Sequence, residues 1–141
     1  SGSLGACGRA EALAAKYGAV KAVRLEVAGG FHTSLMSSAA DILRQALQQA
    51  GIVQPAAAMT IANITGEYYQ TPDEVIDGLT RQLTSPILWQ KCMERLLADG
   101  VQEFYEIGPG RVLTGLMKRI SRKTKVTNIS DLASLKAVVG E

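Results

Sequence analysis

The 141 residues contain one histidine, two cysteines and four prolines. Each shortage closes off a class of function. One histidine and two distant cysteines, Cys7 and Cys92, leave no set with zinc-ligand spacing and no close-spaced cysteine motif. Aromatic residues make up 5% of the chain, which argues against a base-stacking nucleic-acid fold. The net charge of +2 is too small to imply a nucleic-acid or anionic-membrane partner. No apolar run approaches the ~20 residues of a membrane span, and no signal-peptide pattern opens the chain. A reduced, cytoplasmic protein is the expectation. A G-x-S-x-G nucleophile elbow is also missing; residues 1–5 resemble one superficially, with no strand before them. What is present suits one domain of ordinary size: 47% hydrophobic and 20% charged residues, enough to build a core and too apolar for disorder. The first residue is Ser1 and a helical pattern follows almost at once, which suggests a piece of something longer.

Periodicity and stop signals give the order of elements. Residues 4–17 read as a helix, with Leu4, Ala10, Leu13, Ala14 and Tyr17 toward its apolar side and Gly18 as its stop. Residues 22–27 alternate apolar and charged side chains, the pattern of a half-buried strand. From Leu35 to Ala50 apolar residues recur with a helical period, and Gly51 supplies the stop. Residues 52–58, with Pro55, read as a linker, residues 59–64 as a short strand, and Gly66 as a turn. Thr71-Pro72-Asp73-Glu74 combines a cap, a first-position proline and a glutamate three residues after the cap, so a helix starts there and ends near Thr84. Ser85-Pro86 is expected to start the next helix, which Gly100 ends. Residues 101–107 read as a strand, Gly108-Pro109-Gly110 as a sharp turn and residues 111–122 as a helix. Residues 126–129 read as a last strand, and Ser130 as the cap of a helix over 131–139. Strands alternating with helices imply an α/β fold with a largely parallel sheet.

The candidates for chemistry are few. His32 follows Gly29 and Gly30 at the start of the second helical pattern. A neutral imidazole there can take a proton from a nearby hydroxyl or thiol. Position alone leaves His32 between a catalytic base and a bystander loop residue, and no carboxylate stands out to orient it. Ser34 lies too close in sequence to attack through His32 and reads as a helix cap. Cys92 falls on the apolar face of its helix and reads as a small core residue. The Gly108-Pro109-Gly110 turn lacks the Lys-Ser/Thr of a phosphate loop, although a helix N-terminus after it would favour an anion. Lys118, Arg119, Arg122, Lys123 and Lys125 have no acidic residue among them. They read as a solvated helix end, or else as a patch for an acidic partner or phosphorylated cofactor.

Three stretches, in this order, carry a resemblance. They are Phe31-His32-Thr33-Ser34-Leu35-Met36; Arg81-Gln82-Leu83 with Ser85-Pro86 and Trp89; and Glu106-Ile107-Gly108-Pro109-Gly110-Arg111-Val112-Leu113-Thr114-Gly115-Leu116. Together they resemble the C-terminal part of the malonyl-CoA:acyl carrier protein transacylase family, over residues 1 to about 129. The resemblance implies an α/β fold made of the C-terminal part of a hydrolase-like parallel-sheet core. To this it adds the last helix and strand of a small ferredoxin-like subdomain. Residues 1–28 would belong to the small subdomain and residues 29–141 to the core. It implies ping-pong transfer of malonyl from malonyl-CoA to the phosphopantetheine thiol of acyl carrier protein, in fatty acid biosynthesis, by a Ser–His dyad. His32 matches the catalytic histidine, and Gln82 matches the residue whose main-chain carbonyl orients it. Phe31 matches a substrate-binding position that favours malonyl over methylmalonyl. No cofactor and no metal are implied; malonyl-CoA is a substrate. The family's nucleophile elbow, a loop of its oxyanion hole and an arginine that grips the malonyl carboxylate lie upstream and match nothing here. The implied partners are therefore acyl carrier protein, malonyl-CoA and the missing N-terminal part of the same enzyme, and the chain by itself would be inactive. A polyketide synthase acyltransferase domain and a non-catalytic interaction module are the alternatives. Strand edges and apolar faces left without neighbours would make the chain marginally stable or prone to associate.

Overall fold

The computed structural model describes residues 1–53 and 58–140. Pro55 and most of the expected linker lie outside the described residues. The chain forms two compact units, Ser1–Leu88 and Trp89–Glu141.

The first unit opens with α1 (Leu4–Ala14), capped by Ser3, whose Oγ accepts from the Ala6 N–H at 3.3 Å. A 3-10 turn (Ala15–Tyr17) and Gly18 close it where the sequence pattern predicts. Its expected apolar side is not buried: Leu4 is 82% exposed and Tyr17 81%. The strand expected at residues 22–27 does not form either. A strand exists only through ladder hydrogen bonds to a neighbour, and among the described residues none forms a ladder with this segment. Val23, Leu25 and Val27 alternate as read but stay exposed.

A second 3-10 turn (Ser34–Met36) leads into α2 (Ser37–Gln49), and Gly51 follows its end. The strand expected at residues 59–64 reduces to a single antiparallel bridge, Ile61 to Tyr68. The chain reverses too soon for more. Gly66 N–H donates to the Ala62 carbonyl at 2.7 Å, and Ala62 N–H donates to Glu67 at 2.8 Å. Then α3 (Pro72–Gln82) starts as expected: Thr71 Oγ1 accepts from the Glu74 N–H at 3.2 Å, with Pro72 in the first turn. The Glu74 carboxylate reaches back to the Gln70 N–H at 2.7 Å, one residue ahead of a standard capping box. α3 lies against α2, and Arg44 of α2 pairs with Asp77 of α3 at 2.8 Å. The Arg44 guanidinium, and then Arg81, hold the Asp77 carboxyl below its usual range. The pair is half-exposed and contributes at most about 1 kcal/mol.

Gly78 is buried inside α3. Glycine there costs roughly 1 kcal/mol relative to alanine, and packing explains it: a Cβ would overlap the Tyr69 hydroxyl and ring. Gly78→Ala is therefore expected to lower stability. The ~1–3 kcal/mol of overpacking exceeds the gain in helix propensity. An unchanged or raised Tm would show instead that the Tyr69 ring moves aside at little cost.

The second unit runs α4 (Trp89–Ala98), β1 (Glu103–Ile107), α5 (Val112–Ile120), β2 (Lys125–Ile129) and α6 (Leu132–Val139). α4 begins at Trp89 and not at Ser85-Pro86 as the sequence suggests. The carbonyls of Ser85 and Pro86 are taken by the Gln82 side-chain amide at 3.0 and 3.1 Å, and the Leu88 N–H by Asn63 at 2.7 Å. β1 and β2 form a parallel pair, Glu103 opposite Lys125 through Ile107 opposite Ile129. A parallel pair needs a crossover, and α5 provides it. Cys92, Met93 and Met117 form the buried apolar centre. The cap of α6 is Asp131, one residue later than expected, because Asp131 and Ser134 complete a reciprocal box at 2.8 and 3.0 Å. No described helix is long and apolar enough to cross a membrane.

Candidate functional site

His32 is the only described non-glycine residue with a positive φ, at 65°. The left-handed region costs such a residue ~1–3 kcal/mol, and the conformation persists only where its surroundings fix it. Here they do. Its N–H donates to the Leu83 carbonyl at 2.8 Å, and its Nδ1 lies 2.9 Å from the Gln82 carbonyl oxygen. Thr33 secures the same turn from the other side: Oγ1 donates to the Gly30 carbonyl at 2.6 Å and accepts from the Leu35 N–H at 3.3 Å. Thr33, and not Ser34, is thus the cap of the turn; Ser34 offers only its carbonyl, to Ser37 Oγ at 2.7 Å. A Cβ on Gly30 would sit 2.9 Å from Leu35 Cδ1, so a side chain there would require the exposed Leu35 to turn aside.

The end of α3 explains why two carbonyls are free for His32. In a continuing helix, Gln82 would accept from the N–H of residue 86. That residue is proline and has none. Gln82 instead takes a long bond from Ser85 N–H at 3.3 Å and the shorter one from His32. A carbonyl oxygen can only accept. The contact therefore places the imidazole proton on Nδ1 and leaves Nε2 with an open lone pair. That is the protonation pattern of a general base whose working nitrogen is Nε2.

Phe31 stands beside the imidazole, ring centroids 6.5 Å apart and tilted by 51°. It is 40% exposed, so its ring borders the site without being locked into a core. Cys92 is 0% exposed, and burial pushes its thiol up, as befits a core residue and not a nucleophile. Among the described residues no group of three or more His, Cys, Asp or Glu could hold a metal ion.

The Gly108-Pro109-Gly110 segment forms the sharp turn that the sequence reads, but the anion site expected after it is already filled. Gly108 and Gly110 adopt φ of 137° and 85°, which disfavours any side chain there. The N-terminus of α5 is not open to an external anion. The Glu106 carboxylate already fills it, accepting from the Leu113 and Thr114 N–H groups at 2.9 Å each and from the Thr114 hydroxyl. Asn128, opposite Glu106 in the sheet, donates from Nδ2 to the Gly110 carbonyl at 2.8 Å. The sequence reading assigned neither residue a task. The available signal was an acid at a strand end, directly ahead of a glycine turn and a helix. Within the basic cluster, Lys125 pairs with Glu103 at 2.8 Å.

No protein-family model matches the chain. The malonyl CoA-acyl carrier protein transacylase of Bacillus subtilis is 35% identical over 130 residues, which is 92% of this chain and 41% of that protein. Its namesake in Haemophilus influenzae is 36% identical over 138 residues, 98% of this chain and 44% of that protein. Among solved structures, a malonyl-transacylase in complex with its type II PKS acyl-carrier protein superposes with a TM-score of 0.90 at 33% identity. It covers 99% of this chain and 45% of that one. The MCAT structure from Streptococcus pneumoniae gives 0.85 at 30% identity, over the same shares. The chain thus spans less than half the length of these relatives. Over nearly all of its own length, it is related in sequence and in fold to the C-terminal part of the malonyl CoA-acyl carrier protein transacylases.

Proposed function

We propose that this chain supplies the acid–base histidine of a transacylase that moves malonyl from malonyl-CoA to the phosphopantetheine thiol of acyl carrier protein. The observation that carries the reading is the 2.9 Å contact from His32 Nδ1 to the Gln82 carbonyl, which leaves Nε2 free to accept a proton. The names of the relatives support the substrate pair and the reaction class.

In this reading His32 Nε2 takes the proton of a serine hydroxyl as the oxygen attacks the malonyl thioester carbonyl. The tetrahedral adduct collapses, the carbon–sulfur bond breaks, and the imidazolium returns the proton to the departing coenzyme A sulfur. The second half runs in reverse, with the carrier thiol as nucleophile and the serine as leaving group. The Gln82 carbonyl, a neutral acceptor, holds the tautomer throughout and polarises toward the transient imidazolium. The serine belongs to a segment outside these 141 residues, and no residue here takes its role. Phe31 borders the acyl group and disfavours an α-methyl branch, an effect of about 1–3 kcal/mol. Residues 1–28 belong to a small subdomain and residues 29–141 to the acyltransferase core. A carrier protein of polyketide synthesis is a second reading of the acceptor, favoured by the structural neighbour bound to one.

Incubating the 141-residue chain with labelled malonyl-CoA is expected to leave no covalent malonyl on it. Adding a separately expressed segment that carries a Gly-His-Ser-Leu-Gly elbow is expected to place the label on that serine. Malonyl found on Ser34 or Cys92 would overturn the reading.

A further inference from the structure

Any residue at position 82 would offer a main-chain carbonyl, so the carbonyl alone does not account for a glutamine there. We propose that the side-chain amide of Gln82 is a positioning residue for His32, a proposal that rests on the reading of His32 as the base. The amide Nε2 donates two bonds, to the Ser85 carbonyl at 3.0 Å and to the Pro86 carbonyl at 3.1 Å. Both acceptors lie just past the end of α3, so the side chain folds the following four residues back over its own helix terminus. That fold-back has two consequences. It keeps residues 83–86 out of helical continuation, so the Leu83 carbonyl is open to His32 and the Gln82 carbonyl keeps room for it beside the long bond from Ser85. It also fixes their direction, and both point at one residue: Leu83 at the His32 N–H, Gln82 at its Nδ1.

Pro86 is the second part of the same device. It withholds the N–H that would otherwise close on the Gln82 carbonyl, and its own carbonyl anchors the amide. Glutamine fits because its amide carries two N–H donors on a chain long enough to reach carbonyls three and four residues ahead. Leucine matches its bulk and lacks both donors. Without the amide, residues 83–86 are free to rearrange, and the Gln82 carbonyl loses its aim at Nδ1. His32 then relaxes toward the tautomer mixture of a short peptide, in which Nε2 carries the proton in a large share of molecules. Among the described residues no other contact holds the proton on Nδ1.

The test uses the one histidine of the chain, which gives a single set of imidazole nitrogen signals. In the full 141-residue chain, labelled with nitrogen-15 and held where the imidazole is neutral, the Nδ1–H tautomer is expected to dominate. In Gln82→Leu its share is expected to fall by at least twofold, and in Pro86→Ala likewise, while the amide spectrum of α3 stays intact. Where leucine at 82 unfolds the unit, Gln82→Met, which keeps the chain length and loses only the amide, decides in its place. An unchanged tautomer in these variants would overturn the positioning role and leave His32 as base untouched. A wild-type chain with its proton on Nε2 would instead remove both ideas, because the base reading needs that nitrogen open.

Discussion

Replacing His32 by asparagine, in a protein that also carries the nucleophile segment, is expected to lower kcat by about 10³-fold or more. Asparagine is the informative choice because the site demands a left-handed backbone, φ 65°. Asparagine tolerates that conformation better than alanine, whose side chain offers no local hydrogen bond to ease it. The turn should therefore persist in His32→Asn, held by Thr33 and by the Leu83 carbonyl, and the loss should be chemical. A 10³-fold loss corresponds to about 4 kcal/mol of barrier. In the proposed mechanism the lost group acts on a proton that moves only in the transition state, so KM for malonyl-CoA should change little while kcat falls. His32→Ala should show the same kinetic loss together with a lower Tm. Turnover within about tenfold of the wild type would remove His32 from the mechanism.

The sequence made the helices of this chain legible and its strands much less so. Thr71-Pro72-Asp73-Glu74 and the glycines at 18, 51 and 100 mark helix ends through local chemistry, and the structure uses each of them. A strand is not local. Residues 22–27 alternate correctly yet have no ladder among the described residues, while residues 125–129 pair because β1 lies beside them. The same distinction runs through the site. His32 stood out as the one histidine, but its acceptor is fifty positions away and is a main-chain atom. No side-chain pattern signals a carbonyl, so Gln82 entered through family resemblance. Pro86 was read as a helix start from its type, whereas the side chain of Gln82 turns the same residue into part of a helix stop. Glu106 was legible as an acid and illegible as a cap, because its N–H partners lie seven and eight residues on, across a turn.

Glu106→Ala should cost the second unit the carboxylate that caps α5 and fray the first turn of that helix. The Leu113 and Thr114 N–H groups and the Thr114 hydroxyl lose their acceptor together. Thr114 is 6% exposed, so water replaces that acceptor poorly. The charge can be separated from the shape with Glu106→Gln and a pH series. Glu106 is held below the usual glutamate range, first by the Thr114 hydroxyl and then by the backbone N–H groups of Thr114 and Leu113. A carboxyl lowered on folding adds stability that is fully present above its unfolded pKa, about 4.3 for glutamate. That stability is lost as pH falls through the folded value. Glu103, lowered by Lys125, and Asp131, lowered by Ser134, titrate in the same direction in this unit. The second unit should therefore lose stability as pH falls below about 4.3 for the two glutamates and about 3.9 for Asp131, through all three groups in the wild type and through two in Glu106→Gln. The gap between them should be widest near neutrality and narrow in acid, where the wild-type carboxyl also becomes neutral. Denaturant midpoints followed by the fluorescence of Trp89, the one tryptophan of the chain, would measure it. A gap of equal size at both ends of the series would mean that packing around residue 106, and not its negative charge, holds the Gly108-Pro109-Gly110 turn to α5.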